Sequence, residues 1–148
     1  MNEKSEKALQ HAIMLHNYYS DQYQANKTKF NEGRLEGVSE TLRNLQNGGM
    51  VNFNFDNNKW QIIPQKMCID ITSTDIEKQQ KITKLKSKLK EIIELLDSNI
   101  INAYNPDYNK IYRNGVLDSL ACLGEAGLVG YIRDENKWII KSDIEKVW

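Results

Sequence analysis

Proline is scarce in this chain: two in 148 residues, Pro64 and Pro106. Since proline interrupts helices, long helical segments are permitted through most of the sequence. Cysteine is equally scarce. Cys68 and Cys122 stand alone, which excludes a disulfide framework and a cysteine-rich metal site and predicts two reduced thiols. No apolar run approaches the ~18 residues of a membrane span; the densest patch is Ile92-Ile93-Glu94-Leu95-Leu96. The N-terminus, "MNEKSEKALQ", has no apolar stretch of the secretory type, so a cytoplasmic location without membrane contact is expected. Charge of one sign is lacking too. Twenty basic residues balance twenty acidic ones, which argues against a protein that wraps nucleic acid and leaves room only for a local basic face.

What the chain does contain is a repeat. Shifted by 78 residues, "GVSETLRNLQNGGMVNFNFDNNKWQII" (37–63) lies over "GVLDSLACLGEAGLVGYIRDENKWIIK" (115–141) without a gap, and eleven of 27 positions are identical. Common residues, each used at roughly 5–7%, would give about two by chance. Such self-similarity governs the fold reading. Val38, Leu42 and Leu45 recur at helical spacing, as do Val116, Leu120 and Leu123. Gly49 and Gly127 then supply a helix stop. Val51, Phe53 and Phe55 alternate with Asn52 and Asn54, a strand pattern. "DNN" makes a turn and "KWQII" returns. Leu42, Leu45, Leu120 and Leu123 are therefore predicted core residues, and Trp60 and Trp138 are predicted to anchor each hairpin on its helix.

A further helix precedes each copy. Leu9, Ala12, Ile13, His16, Tyr19 and Tyr23 form one stripe; Ile82, Leu85, Leu89, Ile92, Ile93, Leu96 and Ile100 form another. Thr74-Asp75-Ile76-Glu77 reads as a capping box, and the helix it opens is expected to run over 75–103 and stop before Asn105-Pro106. In the first copy the two helices can fuse into one from about Ser5 to Gln46, a fusion that Gly33 and Gly37 disfavour. Met67 to Ile71 reads as a third strand. The expected fold is α+β, mainly α, built as a first α-α-β-hairpin unit (1–65), a linker (66–74) and a second α-α-β-hairpin unit (75–148).

Helix, turn, helix ending "LxxLxxxGLV", then a short hairpin, resembles the recognition helix and wing of winged-helix domains. "LGEAGLVGYIRDENKWII" (123–140) carries the resemblance and "LRNLQNGGMVNFNFDNNKWQII" (42–63) repeats it. The likeness covers about 27 residues per copy. It implies either a DNA reader or a protein-interaction module, since one fold serves both. A DNA-reading helix is usually rich in exposed cations and amides. Segment 30–47 instead sets Arg34 and Arg43 against Glu32, Glu36 and Glu40, and segment 107–125 sets Lys110 and Arg113 against Asp107, Asp118 and Glu125.

One local charge feature remains. "KQQKITKLKSKLK" (78–90) has six lysines and no acid. Lys81, Lys84 and Lys88 are expected on one side of the helix, opposite Ile82, Leu85 and Leu89, as a patch for phosphates or an acidic protein. Lysines near a helix N-terminus oppose its dipole, a cost that points to function. Lys59 and Lys137, one per hairpin, and Tyr18, outside its helix stripe, complete the candidate partner-binding residues. His11 and His16 are five residues apart, about 500° round a helix, so they do not converge on a metal. No nucleophile–base pair or phosphate loop is present. Neither cofactor nor metal is expected. The reading is a non-catalytic macromolecule-binding protein with a protein partner, and a homodimer is compatible with it. In style it resembles small phage or mobile-element inhibitors of the anti-CRISPR type. The alternative is a winged-helix-like DNA-binding regulator that uses the 78–90 lysine helix.

Overall fold

A computed structural model of the chain describes residues 2–63, 75–97 and 106–147. These residues are mainly helical with two small antiparallel hairpins. In order come α1 (Glu3–Ala25), α2 (Lys29–Asn47), β1 (Val51–Asn54), β2 (Lys59–Ile62), α3 (Asp75–Glu94) with a 3-10 turn (Leu95–Asp97), α4 (Pro106–Glu125), β3 (Val129–Ile132), β4 (Lys137–Ile140) and a last 3-10 turn (Ile144–Val147). The linker 66–74, the strand expected over Met67 to Ile71, Cys68, and the Thr74 cap lie outside the described residues.

The first two helices are separate. The break falls at Asn26–Thr28, ahead of the two glycines. Thr28 is the N-cap of α2, its hydroxyl accepting from the Asn31 N–H (3.2 Å), while the Asn31 side-chain amide donates to the Asn26 carbonyl (2.8 Å). Three short polar residues thus satisfy the orphan backbone groups that a break creates. The long helix expected over 75–103 is α-helical only to Glu94, followed by one 3-10 turn; residues 98–105 lie outside the described residues. Pro106 is the first residue of α4, where a missing N–H is harmless and φ is already helical.

Helices α2 and α4 end in the same way. Gly49 (φ 84°) and Gly127 (φ 83°) are left-handed. The Met50 N–H donates to the Leu45 carbonyl (2.9 Å) and Leu128 to Leu123 (3.0 Å), while Gly49 donates to Gln46 (3.0 Å) and Gly127 to Gly124 (3.1 Å). This double bond pattern is the Schellman stop, closed by an apolar residue just beyond it; Met50 and Leu128 are both fully buried. The hairpins share a register, Val51 facing Ile62 and Val129 facing Ile140. Each four-residue loop ends on an asparagine with positive φ, Asn58 at 57° and Asn136 at 53°, the residue type that tolerates this conformation best after glycine.

The core is one continuous cluster that includes Leu9, Ile13, Leu42, Leu45, Leu85, Leu89, Leu120 and Leu123. At its centre α2 crosses α4 with backbones nearly touching. A Cβ added at Gly37 would lie 2.4 Å from the Tyr112 carbonyl oxygen, and one at Gly115 would lie 2.5 Å from that of Arg34. Only glycine permits this approach. Beside it, the buried Thr41 hydroxyl donates to the Gly37 carbonyl (3.0 Å) and the Ser119 hydroxyl to Gly115 (2.9 Å), so both polar groups are satisfied. Helix α1 packs on α2, α4 and β2, whereas α3 packs on α2 and β4. The start of α1 is tied to the far end of the chain. Ser5 Oγ donates to the Ala126 carbonyl (2.7 Å) and the Asn2 N–H to that of Val147 (2.8 Å).

Candidate interaction surface

The lysines of α3 do not lie opposite its apolar stripe. Ile82, Leu85, Leu89 and Ile92 are buried. At about 100° per residue, Lys81 and Lys88 flank that stripe on one side and Lys86 flanks it on the other, with Lys84 and Lys90 further out. The outermost line is Ile76, Gln80, Thr83 and Ser87. Lys88 is only 25% exposed, with its ammonium 3.2 Å from Glu91, and its stem lies beside Gly48. Lys81 and Lys84 are exposed. The expected basic face is therefore two basic borders around a neutral strip, because the lysine stems cover the edge of the core while their heads reach water. Lys84 lines a shallow groove there with Ile76, Gln79 and Gln80.

The other candidates are dispersed. Lys59 is exposed at the start of β2, and Lys137, its counterpart on β4, pairs with Glu135 at 3.0 Å. Tyr18 is 57% exposed on α1 beside Tyr19 (ring centroids 5.8 Å apart). Trp60 and Trp138 are half-buried against the core. Each packs on its cross-strand aromatic partner, Phe53 at 5.3 Å and Tyr131 at 5.2 Å, the pairing that stabilises short sheets. Leu42, Leu45, Leu120 and Leu123 are fully buried.

The strand alternation sets Phe55 with Val51 and Phe53, but β1 ends at Asn54, and Phe55 is the most exposed large apolar side chain among the described residues, at 84%. It ends a row of aromatic rings: Phe55 on Phe53 (5.0 Å), Phe53 on Trp60, and Trp60 on His16 of α1 (6.2 Å). The second hairpin differs on its outer face. Gly130, Ile132 and Ile139 stand where the first carries Asn52, Asn54 and Gln61, and Ile139 is exposed. Position-by-position comparison of segments 37–63 and 115–141 holds that signal.

The cations of α2 are engaged internally. Arg43 pairs with Glu36 (3.2 Å) and with Glu40. The Arg34 guanidinium lies over the Tyr19 ring (4.2 Å) and donates to the Tyr19 hydroxyl (2.6 Å), which in turn donates to Asp118 (2.7 Å). This chain joins α1, α2 and α4. Burial is the main cause that raises the Tyr19 pKa, aided by its bond to Asp118 and opposed by its bond to Arg34, so the phenol stays a neutral donor. Burial likewise raises Cys122, with help from Glu125 and Asp118, which keeps the thiol protonated and a poor nucleophile. Among the described residues no three His, Cys, Asp or Glu side chains group to hold a metal. No helix among them is long and apolar enough to cross a membrane.

His16 carries the clearest pH response. Its Nδ1 is buried and has no hydrogen-bond partner among the described residues. Burial lowers its pKa, the Asn17 side chain opposes this, and the Arg43 charge adds to the lowering. The unfolded chain keeps the ordinary value of 6.5, so below it the unfolded state binds more protons than the folded one. Stability then falls as pH drops through that value. Melting temperatures measured between about pH 5 and 8 should show the fall, and His16→Gln should flatten it. An equal slope in the variant would assign the response elsewhere.

Comparison with protein-family models, curated proteins and solved structures finds no match to this chain.

Proposed function

We propose that this is a non-catalytic binding protein whose partner is another protein. It would be built from two copies of an α-α-hairpin unit resembling a winged-helix subdomain. The shared Schellman stops and hairpin registers support the two-copy reading. So does the meeting of Gly37 with Gly115, since equivalent residues meet in this way across a two-fold axis.

The exposed aromatic tip of the first hairpin carries the functional reading. Phe55 is held out on a row of packed rings that is rooted at α1. A large side chain exposed on a rigid support is what an interface uses as an anchor, because little rotamer entropy is lost when it is buried. An inhibitor of the anti-CRISPR type is one such protein. The DNA-binding alternative is favoured by Lys81, Lys84, Lys86 and Lys90 on α3. It is disfavoured by α2 and α4, the helices that would enter a groove, because they lie against one another and the arginines of α2 are engaged.

Affinity capture from the native host with wild type and Phe55→Asp, paired with duplex-DNA titration at about 50 mM salt, tests this. The expected result is one partner retained by wild type and lost by an equally stable variant, with no DNA binding. Tight DNA binding that weakens steeply with salt would establish the regulator instead.

A further inference from the structure

A cleft of about 380 Å³ opens between the end of α3, the middle of α4 and the second hairpin. Its apolar walls are Ile93, Leu96, Leu117 and Trp138. At its rim stand Arg113, Lys137 and Asp97. From these features we propose that the cleft binds a small aromatic monocarboxylate, with the ring against Trp138 and Leu117 and the carboxylate on Arg113. This site does not rest on Phe55, which carries the partner-binding reading, although it shares Lys137 with the candidate partner-binding residues.

Three observations carry the assignment. The first is size. Small-molecule pockets run from about 300 to 1,000 Å³, so this cleft fits one ring with an acidic group rather than a nucleotide. The second is charge. Arg113 and Lys137 stand against Asp97 in the cleft and Glu135 beside it. Glu135 holds Lys137 at 3.0 Å, so the surroundings are neutral and Arg113 is the cation left to meet an anion. One guanidinium with Asp97 nearby matches a monoanion and repels the second charge of a phosphate dianion. Arg113 makes no ion pair with a described residue, and its planar fork suits a carboxylate.

The third is that the fold does not require the arginine. Seventy-eight residues earlier its counterpart is Leu35, which packs on the core, and that of Leu117 is Ser39. In the first half His16 stands against Trp60. In the second, Trp138 lines an open cleft, and the Tyr131 hydroxyl donates to Asn136, which fixes the hairpin turn at its mouth.

The test is an NMR titration of the full chain with phenylacetate, with benzyl alcohol and inorganic phosphate as the ring alone and the charge alone. Saturable shifts confined to the Trp138 indole, Leu117 and Arg113 are expected with phenylacetate, and none of comparable affinity with the other two. Arg113→Gln should weaken phenylacetate about tenfold or more, the loss of one charge-assisted contact, with its amide spectrum otherwise unchanged. Shifts elsewhere, equal binding of phosphate, or undiminished binding by the variant would each overturn the site.

Discussion

Alanine at Gly37 or at Gly115 will destabilise the protein, although alanine is the better helix former. The helical preference favours alanine by about 1 kcal/mol. Against it stands a Cβ 2.4 Å from the Tyr112 carbonyl oxygen and 2.9 Å from the Val116 nitrogen, or in the reverse case 2.5 Å from the Arg34 carbonyl oxygen. These neighbours are backbone atoms of a packed helix, which cannot rotate aside. The helices must separate, and every contact at the centre of the core loosens with them. Overpacking costs about 1–3 kcal/mol and occasionally more, so the clash wins at both positions. Gly124, also in α4, is the internal control. Its added Cβ would meet nothing nearer than the Val129 carbonyl oxygen at 3.8 Å. There alanine should be neutral or stabilising by up to about 1 kcal/mol. Urea unfolding of the three variants checks the pattern. Gly37→Ala as stable as wild type would refute the close crossing.

Those same glycines show how far the sequence could be read. Gly33 and Gly37 read locally as weak points in a helix, because propensity is a property of neighbouring residues. Their actual partners, Ile111 and Tyr112, lie more than seventy positions away, and no local rule reaches them. Features closed within one short segment were legible: the helix stops at Gly49 and Gly127 and the hairpins around "DNN" and "DEN". Lys81, Lys84 and Lys88 do share one side of α3, but that side borders the buried stripe instead of lying opposite it, because the stripe decides where the lysine stems lie. The cleft was not legible at all. Arg113 and Asp97 come from different elements, and the hairpin that closes the space is brought there only by packing. Phe55 was visible as a strand residue, but its exposure depends on where β1 stops.

Leu42→Ala and Leu120→Ala carry the second large effect, and they test the joining of the two halves. Both side chains are essentially inaccessible to solvent, at 1% and 0%. Each truncation should cost about 2–5 kcal/mol, the lost burial plus the cavity left behind. The two costs should be similar, because the leucines are 78 residues apart on helices with the same ending, α2 and α4. The shape of the transition is equally informative. The buried residues of both halves form one cluster, α1 packs on α4 and α3 on α2. A cavity at Leu42 therefore weakens the surface that the second half packs against. Each variant should unfold in a single cooperative step moved to lower denaturant, with an unchanged slope. If Leu42→Ala instead melted in two steps, one of them at the wild-type midpoint, the halves would be independent units. The crossing at Gly37 and Gly115 would then be a weak contact between them, not the centre of one core.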